Sequence, residues 1–117
     1  DRYRKTLPDN LRILRNPHPN VPILVVSRIP FAKDLTHADF LARREQFRDM
    51  QMATVADFRK HGDSLVHLFD GAKLLGPDFD ECTVDGVHPN DLGFMRMARK
   101  LEPVVRKLIV LRISNDH

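Results

Sequence analysis

Pro22-Ile23-Leu24-Val25-Val26-Ser27-Arg28-Ile29 is the stretch on which the fold turns. Four aliphatic residues, three of them β-branched, run together with no polar partner between them. A strand with one wet face alternates polar and apolar, whereas a strand covered on both faces reads as a continuous apolar run. The segment is therefore expected to be a buried strand of a parallel sheet. It is bounded by a stop-and-turn cluster, Asn16-Pro17-His18-Pro19-Asn20, on one side and by Pro30 on the other.

Working outward, Tyr3, Leu7, Leu11 and Leu14 recur at helical spacing over residues 2–16, with Pro8 expected to interrupt that helix and restart it. Beyond Pro30 a polar loop runs to about Thr36. A second helix is expected over residues 38–61, with Phe40, Phe47, Met50, Val55 and Phe58 on one face and Gly62 as its stop. Leu65-Val66-His67-Leu68-Phe69 reads as a second strand closed by Asp70-Gly71, and residues 72–84 as loop or a single helical turn. A last helix is expected over residues 91–111, with Phe94, Met97, Ala98, Leu101, Val105 and Leu108 on one side and Pro103 kinking or splitting it.

The order helix, strand, helix, strand, helix favours a parallel strand pair with a right-handed crossover. Two strands make a poor sheet on their own. The expected fold class is thus α/β, with two strands and three main helices of a larger three-layer domain, and residues 1–117 form a partial single domain whose remaining strands lie outside this chain. The unpaired edge of the first strand is then a place for self-association or for pairing with the missing N-terminal half. The chain starts Asp1-Arg2-Tyr3-Arg4-Lys5, without an initiator methionine or an apolar leader region, as expected of a processed chain or part of a longer one.

Composition narrows the function classes. With 42% hydrophobic and 30% charged residues the chain has the make-up of an ordinary soluble globular protein. No apolar run nears the roughly 18 residues needed to span a bilayer. The charge of +3 comes from 19 basic and 16 acidic residues spread over several segments, with one Tyr and no Trp, so a basic stripe interleaved with aromatics is absent and nucleic acid is not the expected partner. Cys82 is the single cysteine, which excludes an intrachain disulfide and a thiolate zinc cluster. The compartment, cytoplasmic or secreted, stays open.

The chemistry gathers at Thr83-Val84-Asp85-Gly86-Val87-His88-Pro89-Asn90-Asp91-Leu92-Gly93-Phe94. This string follows the second strand and precedes the last helix, at the carboxyl end of the sheet where ligands of open parallel sheets bind. A general-base histidine needs one ring nitrogen facing the nucleophile and the other tied to an acceptor that holds its tautomer. Asp85, three residues ahead on a tight loop with Gly86, reaches Nδ1 of His88; Pro89 stiffens the exit, Asn90 is placed to cap the helix, and Gly93 leaves room between loop and helix. Asp85 and His88 are the candidate catalytic residues. Taken alone, a D-x-x-H pair also fits a turn cap beside a surface histidine.

The same string resembles the last conserved block of the SGNH (GDSL-type) hydrolases, a D-x-x-H followed by Pro, a polar residue and Gly. Phe94 to Leu108 are similar to that family's closing helix, residues 22–30 to its fourth strand and residues 66–71 to its fifth. The resemblance implies a flavodoxin-like α/β/α domain. It also implies a serine esterase or acylhydrolase working through an acyl-enzyme, with His88 as general base, Asp85 as its orienting acid and no metal or organic cofactor. The pattern looks like bacterial members acting on small acylated carbohydrates. The family's G-D-S nucleophile block and G-x-N-D block would both precede this chain, so the resemblance implies a chain that supplies the Asp-His pair, lacks the serine and is inactive alone.

Gly62-Asp63-Ser64-Leu65 spells the nucleophile motif in the wrong place. It follows a helix and precedes a strand, which puts Ser64 at the amino end of the sheet, about 16 Å from the loop over a five-residue strand. Arg28, at the end of the first strand, is a candidate for binding an acidic group of the substrate, against the commoner role of pairing with a local carboxylate. Ser27 is expected to bond to nearby backbone. Cys82 reads as a small apolar residue with no basic partner beside it in sequence. His18, His37, His61, His67 and His117 form no i, i+4 metal pair. Two further readings stay open: a non-catalytic interaction domain that keeps the fold, and metal-assisted hydrolysis through Asp85 and His88.

Overall fold

The computed structural model describes residues 2–115; Asp1 and His117, both used above, lie outside the described residues. Five main elements follow one another: helix α1 (Arg2–Arg15), strand β1 (Ile23–Val26), helix α2 (Ala38–Lys60), strand β2 (Val66–Phe69) and helix α3 (Asp91–Asn115). Short 3-10 turns at Ala32–Leu35, Gly71–Lys73 and Phe79–Cys82 fill the connections. The strands pair in parallel, Ile23 opposite Val66 and Val26 opposite Phe69, so the strand-helix-strand expectation holds and both strand ends face the same way.

One face of the sheet carries the core. Leu11 of α1, Val55 of α2 and Val66 of β2 are buried together, with Leu7, Ile23, Val25, Phe58 and Leu68 packed around them. The ion pair from Arg15 to Asp63 (2.8 Å) and the bond from Gln51 to the Tyr3 hydroxyl (2.8 Å) tie α1 to α2 and the turn after it. Helix α3 lies over the opposite face, where Leu24 shares a groove with Val105, Leu108 and Ile109. The arrangement is α/β, with helices on both sides of the strand pair.

Several expectations need correction. Helix α1 runs unbroken through Pro8. A proline inside a helix removes its own N–H bond and crowds the carbonyl four residues before it, but Leu7 and Leu11, which flank it, both pack on the core. Pro103 likewise leaves α3 as one helix, which continues four residues past the expected end at Leu111. Strand β1 is four residues long and is not buried on both faces: Val26 is exposed. The apolar side expected of α3 is only partly covered, with Met97, Leu101 and Leu108 half-buried and Phe94, Ala98 and Val105 exposed. The cause is the same for both. Among the described residues the sheet has two strands, and nothing there covers the free edge of β1 or the outer stretch of α3. No helix among the described residues is long and apolar enough to cross a membrane.

Candidate active site

Both connections that leave the carboxyl ends of the strands converge on residues 83–90. This segment is closed like a small hairpin. Thr83 and Pro89 form an antiparallel bridge, Val84 N–H donates to the His88 carbonyl (2.9 Å) and Asn90 N–H donates to the Cys82 carbonyl (2.9 Å). The turn at its tip needs a left-handed residue, supplied by Gly86 at φ 88°.

Within that tip Asp85 uses both carboxylate oxygens. Oδ1 accepts the backbone N–H groups of Val87 (2.9 Å) and His88 (2.7 Å), and Oδ2 lies 2.6 Å from Nδ1 of His88. The carboxylate is thereby anchored by its own loop before it orients the ring. These bonds hold the Asp85 carboxyl well below the usual carboxylate range: the His88 N–H contributes most, then the His88 ring, then the Val87 N–H. The ring is 74% exposed, and its Nε2 makes no hydrogen bond among the described residues. An acceptor-bound Nδ1 with an open Nε2 is the arrangement of an imidazole ready to take a proton from a neighbour.

The exit from the loop is fixed as firmly. Asn90 caps α3, its Oδ1 accepting the Gly93 N–H (2.9 Å), while its Nδ2 donates to the Glu81 carbonyl (2.8 Å). Gly93 is required by close approach: a Cβ there would sit 2.6 Å from the Cys82 carbonyl oxygen and 3.1 Å from Pro89. Cys82 is fully buried beneath the loop. Its basic partner comes from α3 rather than from its sequence neighbours, Arg96 lying 3.5 Å from Sγ. The same guanidinium pairs with Asp78 (2.6 Å) and donates to the Leu75 carbonyl (2.7 Å), bolting the Phe79–Cys82 turn to α3. The bond from Arg96 is the main reason the Asp78 carboxyl is held below its ordinary range, and Asp78 in turn raises Arg96.

The other candidates fall into structural places. Ser27 is buried and staples the strand ends, accepting the Gly71 N–H (2.8 Å) and donating to Asp70 (3.3 Å). Arg28 pairs with Asp34 (3.0 Å), donates to the Phe40 and Ile29 carbonyls (2.9 Å each) and stacks 3.7 Å over Phe31. Its terminal nitrogens bond to the turn and to α2, as in the local-carboxylate alternative, and the side chain also lines a cavity with Phe31, Phe40, Arg43 and Phe47. Ser64 stands just before β2, its carbonyl accepting from Arg59 (3.2 Å), at the sheet end opposite His88. His67 sits in β2 beside Arg59 (3.5 Å), and burial, then that guanidinium, push its pKa down. No group of three metal-ligating side chains occurs among the described residues.

Sequence reasoning missed the support behind the loop. Asp34 is buried, its side chain 2% exposed, between Arg28 (3.0 Å) and Arg44 (2.9 Å), and it accepts the Phe31 N–H (3.0 Å). Lys33 N–H donates to the Gly86 carbonyl (3.2 Å). An aspartate within a polar loop was the local signal for this.

The family model of the GDSL-like lipase/acylhydrolase family matches residues 1–106. Among solved structures, a protein described as a GDSL-like lipase from Bacteroides ovatus is similar at 31% identity and a TM-score of 0.79, over 86% of this chain and 30% of that one. The salicylyl-acyltransferase SsfX3 of a tetracycline biosynthetic pathway is similar at 27% identity and a TM-score of 0.72, over 94% of this chain and 33% of that one. No curated protein matches the chain. The chain spans about a third of the length of these solved structures. With nearly its whole length matched by the family model, the chain belongs to the GDSL-like lipase/acylhydrolase family.

Proposed function

We propose that this chain carries the acid-base arm of a serine acyl-transfer site that hydrolyses carboxylic esters. His88 Nε2 takes the proton of a serine hydroxyl as it attacks the ester carbonyl. The imidazolium then protonates the leaving alcohol. In the second half-reaction His88 deprotonates water, which attacks the acyl-enzyme and releases the acid. Asp85 holds Nδ1 protonated throughout and stabilises the imidazolium. The serine and the oxyanion donors are assigned to polypeptide beyond these residues, a reading supported by the chain's spanning a third of its structural neighbours. Small acylated carbohydrates are the proposed substrates.

The observation that carries the proposal is the 2.6 Å contact from Asp85 Oδ2 to His88 Nδ1, on a loop locked at both ends and leaving Nε2 open. Membership of a lipase/acylhydrolase family supports this kind of chemistry. Kinetics of p-nitrophenyl acetate hydrolysis by the intact polypeptide test it. His88→Ala is expected to lower kcat about 10²–10⁴-fold, the usual worth of a general base. Asp85→Asn is expected to cost less, about 10–100-fold, because its half-exposed carboxylate acts in a more screened setting than a buried triad acid. Near-normal hydrolysis by His88→Ala would sink the assignment.

A second acceptor is favoured by one comparison. The neighbour SsfX3 is a salicylyl-acyltransferase, and the same base can activate an alcohol in place of water. Product analysis with added alcohols separates the two: new esters indicate transfer, free acid alone indicates hydrolysis.

A further inference from the structure

One peptide group links the tip of the Asp85–His88 loop to the Ala32–Leu35 turn. The carbonyl of Gly86 accepts the Lys33 N–H (3.2 Å), and the N–H on the other side of that same peptide, from Val87, donates to Asp85 Oδ1 (2.9 Å). A peptide hydrogen-bonded on both sides is fixed in plane, and each bond polarises it so as to strengthen the other. The Lys33 side chain lies along the same glycine, close enough that a Cβ there would meet its Cγ at 3.2 Å. The orientation of the carboxylate that holds His88 is thus referred to the Ala32–Leu35 turn.

That turn is held by a buried ionic cluster. Asp34 accepts from Arg28 on the segment after β1, from Arg44 on α2 and from the Phe31 N–H. Three parts of the chain meet on one carboxylate that is almost out of water. Buried charges of this kind are often neutral in stability when replaced by apolar groups, and their best-attested use is to fix one arrangement over others. Nothing in the acid-base step itself requires a cluster at this position, and it stands directly behind Lys33.

We propose that Asp34 is a positioning residue for the Asp85–His88 pair, acting through the Lys33 N–H and the Gly86–Val87 peptide. This rests on the acyl-transfer reading for its kinetic consequence and on geometry alone for its structural one. Loss of Asp34 frees the turn, the Gly86–Val87 peptide loses its outer anchor, and Asp85 no longer holds the ring of His88 in one tautomer and one direction. Substrate binding is expected to be left in place.

The test compares Asp34→Asn and Lys33→Pro with the parent in the intact polypeptide. Lys33→Pro removes the N–H that reaches Gly86 and deletes no hydrogen-bond partner of Asp34, so it decides the question if Asp34→Asn fails to fold. Ring ¹⁵N shifts of His88 report its tautomer, and ester hydrolysis gives kcat and KM. In each folded variant kcat is expected to fall about tenfold, the scale of a sub-ångström misplacement, with KM within about twofold. The His88 ring nitrogens are expected to move toward a mixed tautomer. Folded variants with parental ring shifts and parental kcat overturn the proposal. A parent without esterase activity refutes the acyl-transfer reading instead, and the ring shifts still decide whether Asp34 positions His88.

Discussion

Asp85 does two jobs with one carboxylate, and they are chemically separable. Oδ1 is spent on backbone N–H groups of its own loop, and Oδ2 on the imidazole. Because these bonds favour the charged form, the folded-state pKa lies below the ordinary 3.8. For a depressed carboxyl, the stability it adds is complete above the unfolded value and is lost as pH falls through the folded one. The carboxyl ¹³C resonance of Asp85 is therefore expected to titrate with a midpoint below 3.8, with the His88 amide shift moving only in that lower range; a midpoint at or above 3.8 would mean that the loop is not closed as described. This pair was legible in sequence because a three-residue spacing with a glycine between the partners is a local relation that the backbone alone can satisfy. Asp34 was not legible, because its two arginine partners lie six and ten residues away on different elements. The same holds for Arg96, whose approach to Cys82 exists only once α3 has folded back over the Phe79–Cys82 turn. Gly62-Asp63-Ser64-Leu65 shows the converse: a local string with the right letters, placed by the fold at the wrong end of the sheet.

At the scale of elements, the junction between the loop and α3 fixes the base of the loop that carries His88. The helix cap from Asn90, the Cys82–Asn90 bond and the bare Cα of Gly93 put the helix start directly against the loop backbone. The clashing atom that an added methyl would meet is a carbonyl oxygen of the loop itself, which cannot swing aside as a side chain would. Gly93→Ala is therefore expected to destabilise the intact polypeptide by about 1–3 kcal/mol, the usual range for overpacking, and to shift the His88 amide resonance with it. An unchanged urea midpoint would show that loop and helix are free to separate. Element types were readable from periodicity, and the parallel pairing followed from the order of elements. Burial was misjudged on β1 and α3, since an apolar run states what a segment requires and not what is present to cover it. The prolines were over-read for a related reason. One missing N–H bond in α1 is outweighed by packing on both sides of Pro8, a tertiary effect that no local rule contains.

Taken whole, the molecule is a strand pair with α1 and α2 on one face, α3 on the other, and its chemistry at the carboxyl ends of the strands. That layout places the Asp85–His88 loop beside the ends of β1 and β2 and leaves an uncovered sheet edge next to a partly covered helix face. Under the proposed function, the loop brings His88 as a base to a nucleophile carried on polypeptide beyond these residues. The direct measurement is the rate and position of covalent labelling of the intact polypeptide by a fluorophosphonate, which reacts with a serine only when a base activates it. The account predicts one labelled serine that is neither Ser27 nor Ser64, and labelling slowed by about a hundredfold or more in His88→Ala. Labelling of His88→Ala at the parental rate, or a label on Ser64, would contradict it.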